Sequence, residues 1–100
     1  MLTKKDIFQT IKENKEIIKS FGVKEIGLFG SYVRNQQTKE SDIDILVDYD
    51  YNKIDFLKYM RFCFMMEELF KDLKVEIVTK NGLSEYIGPY ILNEVEYVEI

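Results

Sequence analysis

A chain of 100 residues, 46% of them hydrophobic, has material for one small core and not for a second, so no separate substrate domain is expected. With 18 acidic against 14 basic side chains and a formal charge of −4, it has no general electrostatic drive toward long nucleic acid, which leaves a nucleotide or a protein as the expected partner. It contains no histidine and only one cysteine, which excludes Ser-His-Asp and Cys-His nucleophile systems, HExxH and paired-cysteine zinc sites and an internal disulfide; chemistry must run on carboxylates and metal.

Residues 1–20 are charged and amphipathic, with no apolar run long enough for a signal peptide or a membrane span; the cytoplasm is the default location and no membrane partner is expected. From Thr3 to Ser20 the residues Ile7, Ile11, Ile17 and Ile18 recur near helical spacing, Thr3 and Asp6 fit a capping box and Gly22 a stop, which predicts one first helix. Val23 to Phe29 is β-rich and runs into Gly30-Ser31, as a strand entering a tight turn would. Tyr32 to Arg34 can begin a helical turn, and Asn35 to Glu40 reads as loop until Ser41 opens a second strand over Asp42 to Val47. After a polar turn over Asp48 to Lys53, Ile54 to Phe70 predicts a long helix, and Lys74 to Val78 predicts a third strand. Asn81-Gly82 marks a turn, and Pro89 suits the first position of a last helix carrying Tyr90, Ile91, Val95 and Val98. This order describes a single α+β domain over residues 1–100, a two-layer α/β unit, with Cys63 as a buried or interface thiol.

Chemistry concentrates at two places. In a strand, Asp42 and Asp44 project from the same side while Ile43 and Ile45 face the core. Two ionised carboxylates at that separation repel unless a cation lies between them, and magnesium, a hard ion that takes oxygen ligands and shares them with substrate phosphates, fits. Gly30 permits close backbone approach, and Ser31 adds a hydroxyl and the free amides of a turn suited to phosphate. The matching reaction is in-line attack by an acceptor oxygen on the α-phosphorus of a nucleoside triphosphate, with two magnesium ions shared between the attacking and leaving oxygens. Glu76 is the candidate third carboxylate, a metal ligand that would help hold the attacking side and lower the acceptor hydroxyl's pKa; alternation puts it with Lys74 and Val78, opposite Val75 and Ile77, and leaves open whether that face holds the metal. The bland alternatives are a plain strand-ending turn at Gly30-Ser31, a solvated face at Asp42 and Asp44, and an edge-strand surface residue at Glu76. Competing motifs fail: Gly22 to Gly27 lacks the P-loop Lys-Ser/Thr, Gly27 and Gly30 lack a dinucleotide spacing, and the Asp48, Asp50, Asn52 run has Lys53 and Tyr59 where an EF-hand loop needs glycine and glutamate.

The run Leu28-Phe29-Gly30-Ser31-Tyr32-Val33-Arg34-Asn35, followed by Ser41-Asp42-Ile43-Asp44-Ile45-Leu46-Val47, resembles the polymerase-β-like nucleotidyltransferase superfamily and, more narrowly, the minimal nucleotidyltransferase (MNT) family; the segment Tyr86 to Val95 is similar to that family's C-terminal part. The resemblance covers essentially the whole chain. It implies a small mixed β-sheet with helices packed on it, Asp42 and Asp44 as metal ligands and Gly30 and Ser31 as triphosphate ligands. Val33 stands where the family often has alanine, Asn35 where it often has glycine, and Glu76 where the third acid is usually aspartate. Arg34 matches the family arginine, as a phosphate or partner contact or as a brace for the loop. The resemblance further implies the antitoxin of a HEPN/MNT pair, a magnesium-dependent protein adenylyltransferase that moves AMP from ATP to a tyrosine of its toxin. The alternatives are a non-catalytic antitoxin that masks its partner and, last because 100 residues leave little for an acceptor pocket, transfer to a small molecule. A protein partner, or a homo-oligomer, also follows from the helix at Ile54 to Phe70, where twelve of seventeen residues are apolar, more than one sheet-facing stripe needs; deeper burial in its own core would explain the same pattern.

Overall fold

The computed structural model describes residues 2–71 and 73–100. Thr3 starts the first helix as its sequence predicts: its hydroxyl accepts from the Asp6 N–H (3.2 Å) while Asp6 accepts from the Thr3 N–H (2.9 Å). The expected single helix is in fact two, α1 (Lys4–Glu13) and α2 (Lys15–Ser20). Asn14 makes the break, because its side-chain amide donates back to the Thr10 carbonyl at 2.8 Å and its backbone leaves helical geometry at φ −113° and ψ 15°. The break turns Ile18 into the core and leaves Ile17 exposed.

Strand β1 (Val23–Phe29) pairs antiparallel with β2 (Ile43–Tyr49), and β2 pairs parallel with β3 (Val75–Thr79). Between the parallel strands lies α3 (Phe56–Leu69), the crossover that such a pair requires. A short 3₁₀ turn at Lys80–Gly82 leads to α4 (Gly88–Glu94). The expected last helix does not reach Val95 and Val98: Val95 turns extended (φ −61°, ψ 135°) and Glu96–Val98 forms β4, antiparallel to β1. The four-stranded mixed sheet therefore runs β3-β2-β1-β4.

Strand alternation divides the sheet into two faces. Ile26, Leu28, Ile43, Ile45, Val47 and Val98 point into a core closed by Ile7, Ile11 and Ile18 of the first helices and by Phe62 and Met66 of α3. Phe21, at the end of α2, meets Phe62 edge-on with ring centroids 5.8 Å apart. The opposite face carries Gly27, Phe29, Asp44, Leu46, Glu76 and Val78, and α4 borders it. Gly27 has a packing reason: a Cβ there would stand 2.6 Å from a Val95 methyl, where the chain turns from α4 into β4. On α3, Phe62 and Met66 are buried while Phe56, Leu57 and Phe64 are exposed, so the excess apolar surface faces outward and not into a deeper core. Among the described residues, no helix is long and apolar enough to cross a membrane.

Candidate functional site

Gly30 ends β1 at φ +79°, a left-handed conformation that L side chains avoid. A methyl group on it would collide with Asp44 Oδ2 and lie 3.0 Å from Asp44 Cγ, so the turn and the carboxylate fit only because the side chain is missing. From Ser31 the chain makes one tight turn, with the Arg34 N–H donating to the Gly30 carbonyl at 3.3 Å. The turn does not grow into a helix. Asn35 stops it in the left-handed region at φ 58°, with the Asn35 N–H on the Tyr32 carbonyl and the Gln36 N–H on the Ser31 carbonyl, a Schellman closure with asparagine where glycine is usual. The loop returns to β2 through Ser41, whose hydroxyl accepts from the Thr38 N–H at 2.8 Å.

Asp44 lies opposite Phe29 across the antiparallel pair and opposite Glu76 across the parallel pair. Glu76 therefore shares the face of Asp44, the point its strand alternation leaves open. Asp42 precedes β2 and meets the Lys74 ammonium at 4.0 Å, a long and largely exposed contact. The Asp44 carboxyl is pushed up to about 6: burial is the largest cause, followed by the negative charges of Glu76 and Asp42 and a hydrogen bond to Glu76, while Arg34 pulls the other way. A divalent cation would relieve that state, and the donor set is all oxygen, as a hard ion requires. Among the described residues, no three acidic, cysteine or histidine side chains gather closely enough to be a ready-made metal cage. Magnesium does not need one, since it is commonly held by one or two carboxylates with substrate phosphates and water.

Beside these acids opens a cavity of about 360 Å³ with Asp44 and Glu76 on one side and Phe29, Val78, Leu83 and Ile91 as apolar wall. Sequence reasoning does not reach this wall, because α4 and the 3₁₀ turn come to it from a distant part of the chain. It also misses Glu94. The Glu94 carboxylate accepts from the Gly30 N–H at 2.7 Å and from Arg34 Nη1 at 2.8 and 3.0 Å, so Arg34 is turned toward the end of α4. No local motif signals a partner that lies 60 residues from Arg34. The candidate residues thus fall into two adjoining groups: Gly30 with Asp44, Asp42 and Glu76 at the ends of the strands, and Arg34 with Glu94 behind the turn that holds Ser31.

The family model for the nucleotidyltransferase domain matches residues 9–98. The chain is 40% identical over 99 residues to the protein adenylyltransferase MntA of Thermococcus cleftensis, covering 98% of each protein. It is 41% identical over 85 residues to a candidate protein adenylyltransferase of Methanocaldococcus jannaschii, covering 85% of this chain and 82% of that one. Among solved structures, a candidate minimal nucleotidyltransferase matches with a TM-score of 0.70 at 26% identity, covering 89% of this chain and 93% of that one. A toxin–antitoxin crystal structure with AMP-PNP matches with a TM-score of 0.65 at 21% identity, covering 98% of this chain and 73% of that one, a likeness of fold.

Proposed function

The chain belongs to the nucleotidyltransferase domain family, and we propose that this enzyme transfers AMP from ATP to a tyrosine of a partner protein, a HEPN-like toxin, with magnesium as its cofactor. The observation that carries the reading is the placement of Glu76 beside Asp44, on the face where the glycine of the turn leaves room for the aspartate. The Ser31 hydroxyl and the amides of its turn receive the triphosphate. Asp42 and Asp44 would hold the magnesium, two ions in the full reaction, which when bound supplies charge neutralisation for the departing pyrophosphate. Glu76 takes the proton of the acceptor hydroxyl as its oxygen forms a bond to the α-phosphorus. The bond from that phosphorus to the bridging oxygen breaks, and pyrophosphate leaves with the electron pair. The apolar wall of Phe29, Val78, Leu83 and Ile91 keeps water, the competing acceptor, from the reacting phosphorus.

A protein acceptor is supported by the similarity to protein adenylyltransferases and by the exposed apolar side chains Tyr86, Ile87 and Tyr90 near the cavity and Phe56, Leu57 and Phe64 on α3. Incubation with ATP, magnesium chloride and the HEPN-like partner should raise the partner's intact mass by one adenylyl group. The double variant Asp42→Asn, Asp44→Asn should remove that increase and remain folded; AMP incorporation by the double variant would overturn the site. The exposed face of α3 also favours a second reading, neutralisation by masking alone. Under it, the double variant would still bind the partner and protect cells.

A further inference from the structure

Glu94 ends α4 and has no part in the transfer chemistry above, yet its carboxylate occupies two donors of the turn that is read as the triphosphate site. One oxygen accepts from the Gly30 N–H at 2.7 Å, and both accept from Arg34 Nη1, at 3.0 and 2.8 Å. The other end of the same guanidinium is fixed by Gln36, which accepts from Nε at 3.1 Å. A backbone N–H at a left-handed glycine together with a guanidinium is the donor set that suits a phosphate oxygen. Glu94 meets it with the two oxygens of a planar anion. The Glu94 side chain is 29% exposed and that of Arg34 47%, so the pair is half-open to solvent and is held mainly by its geometry. A single N–H cannot serve the glutamate and a phosphate at full strength at once.

We propose that Glu94 is an internal phosphate mimic: its carboxylate holds Gly30 and Arg34 in the nucleotide-free protein, and the phosphate tail of the incoming nucleotide must displace it. This rests on the reading of the Gly30-Ser31 turn as the triphosphate site. Arg34 belongs to the same turn, its backbone N–H donating to the Gly30 carbonyl at 3.3 Å. Released from Glu94, it is a cation beside that turn whose Nη1 donors are free while Gln36 still holds Nε. The native glutamate thus weakens tail binding and keeps the turn in its left-handed shape when no nucleotide is present.

The test separates the tail from the rest of the nucleotide. Calorimetric titrations of wild type and Glu94→Gln, with magnesium chloride present, use inorganic tripolyphosphate, an imido analogue of ATP, and AMP. Glutamine keeps an oxygen for the Gly30 N–H but loses the charge that competes with phosphate. Tripolyphosphate and the ATP analogue should bind the variant about tenfold more tightly, a difference of about 1.4 kcal/mol, with AMP changed much less. Glu94→Asp, which is one methylene shorter, should shift tripolyphosphate in the same direction. Thermal melts establish that both variants are folded. Tripolyphosphate binding that is unchanged or weaker in folded Glu94→Gln overturns the proposal, because a carboxylate that merely braces the turn gives that result. If wild type binds the ATP analogue and the variant gains nothing, Glu94 alone is refuted. If neither protein binds tripolyphosphate or the analogue, the triphosphate reading of the turn fails and the mimic falls with it.

Discussion

Asp44 stands between a glycine that has no side chain to give way and a glutamate that carries the same charge. Its carboxyl, pushed up to about 6 from 3.8, is harder to ionise in the folded chain than in the unfolded one. The folded-state preference for the proton is therefore fully present below about pH 3.8 and is lost as pH rises through about 6. Asparagine at this position removes the ionisation. In EDTA, Asp44→Asn should be more stable than wild type by about 1 kcal/mol at pH 8, a figure discounted for the half-open site, and the gain should vanish near pH 4. Thermal denaturation across that pH range measures it; equal stabilities at pH 8 would mean that Asp44 is not under strain. The same substitution should abolish transfer, which places stability and activity in opposition at one side chain. Much of this residue-scale picture is legible from the chain alone. The closeness of Asp42 and Asp44 in the chain anticipates that the charge of one acts on the other, although Asp42 lies just before β2 and not within it, and the tolerance of asparagine for left-handed backbone anticipates Asn35 at φ 58°. Glu94 is not legible, because its partners meet it only after α4 has folded back to the end of β1.

The element that divides most clearly into two roles is α3. Phe62, fully buried against Phe21, belongs to the core, and Phe62→Ala should destabilise the protein by about 3–4 kcal/mol. Phe64 is 59% exposed, and Phe64→Ala should change stability by less than about 0.5 kcal/mol while weakening binding to the proposed partner protein. Chemical denaturation and a pull-down of the partner read the two effects separately. A large loss of stability from the Phe64 variant would place that side chain in the core. The apolar excess of this helix is plain in its composition, but which residues face outward depends on how the helix lies on the sheet. The same limit applies to the first helix: isoleucine spacing runs through Asn14, and only the side-chain bond to Thr10 interrupts it. Periodicity registers faces and is blind to a single competing hydrogen bond.

At the scale of the molecule, β4 is the part least visible in the chain. Three residues, Glu96–Val98, are too few to establish a period of two, and their apolar members continue the pattern of the preceding helix. Yet Val98, two residues from the end, is buried beside Ile26, and Val98→Ala should lower stability by about 2 kcal/mol, far more than a frayed terminus would. Equilibrium unfolding would decide the matter, with a neutral variant arguing that β4 does not hold the edge of the sheet. The strands on the other side of the sheet carry a further consequence. Asp44 faces Glu76 because β2 and β3 pair in one particular register. A slip of one residue would put Val75 or Ile77 beside the aspartate and, in the same movement, turn Glu76 toward the oily interior. On the proposed chemistry, misassembled copies would be inert as well as unstable, and catalysis would double as a readout of whether the parallel strands have been threaded correctly.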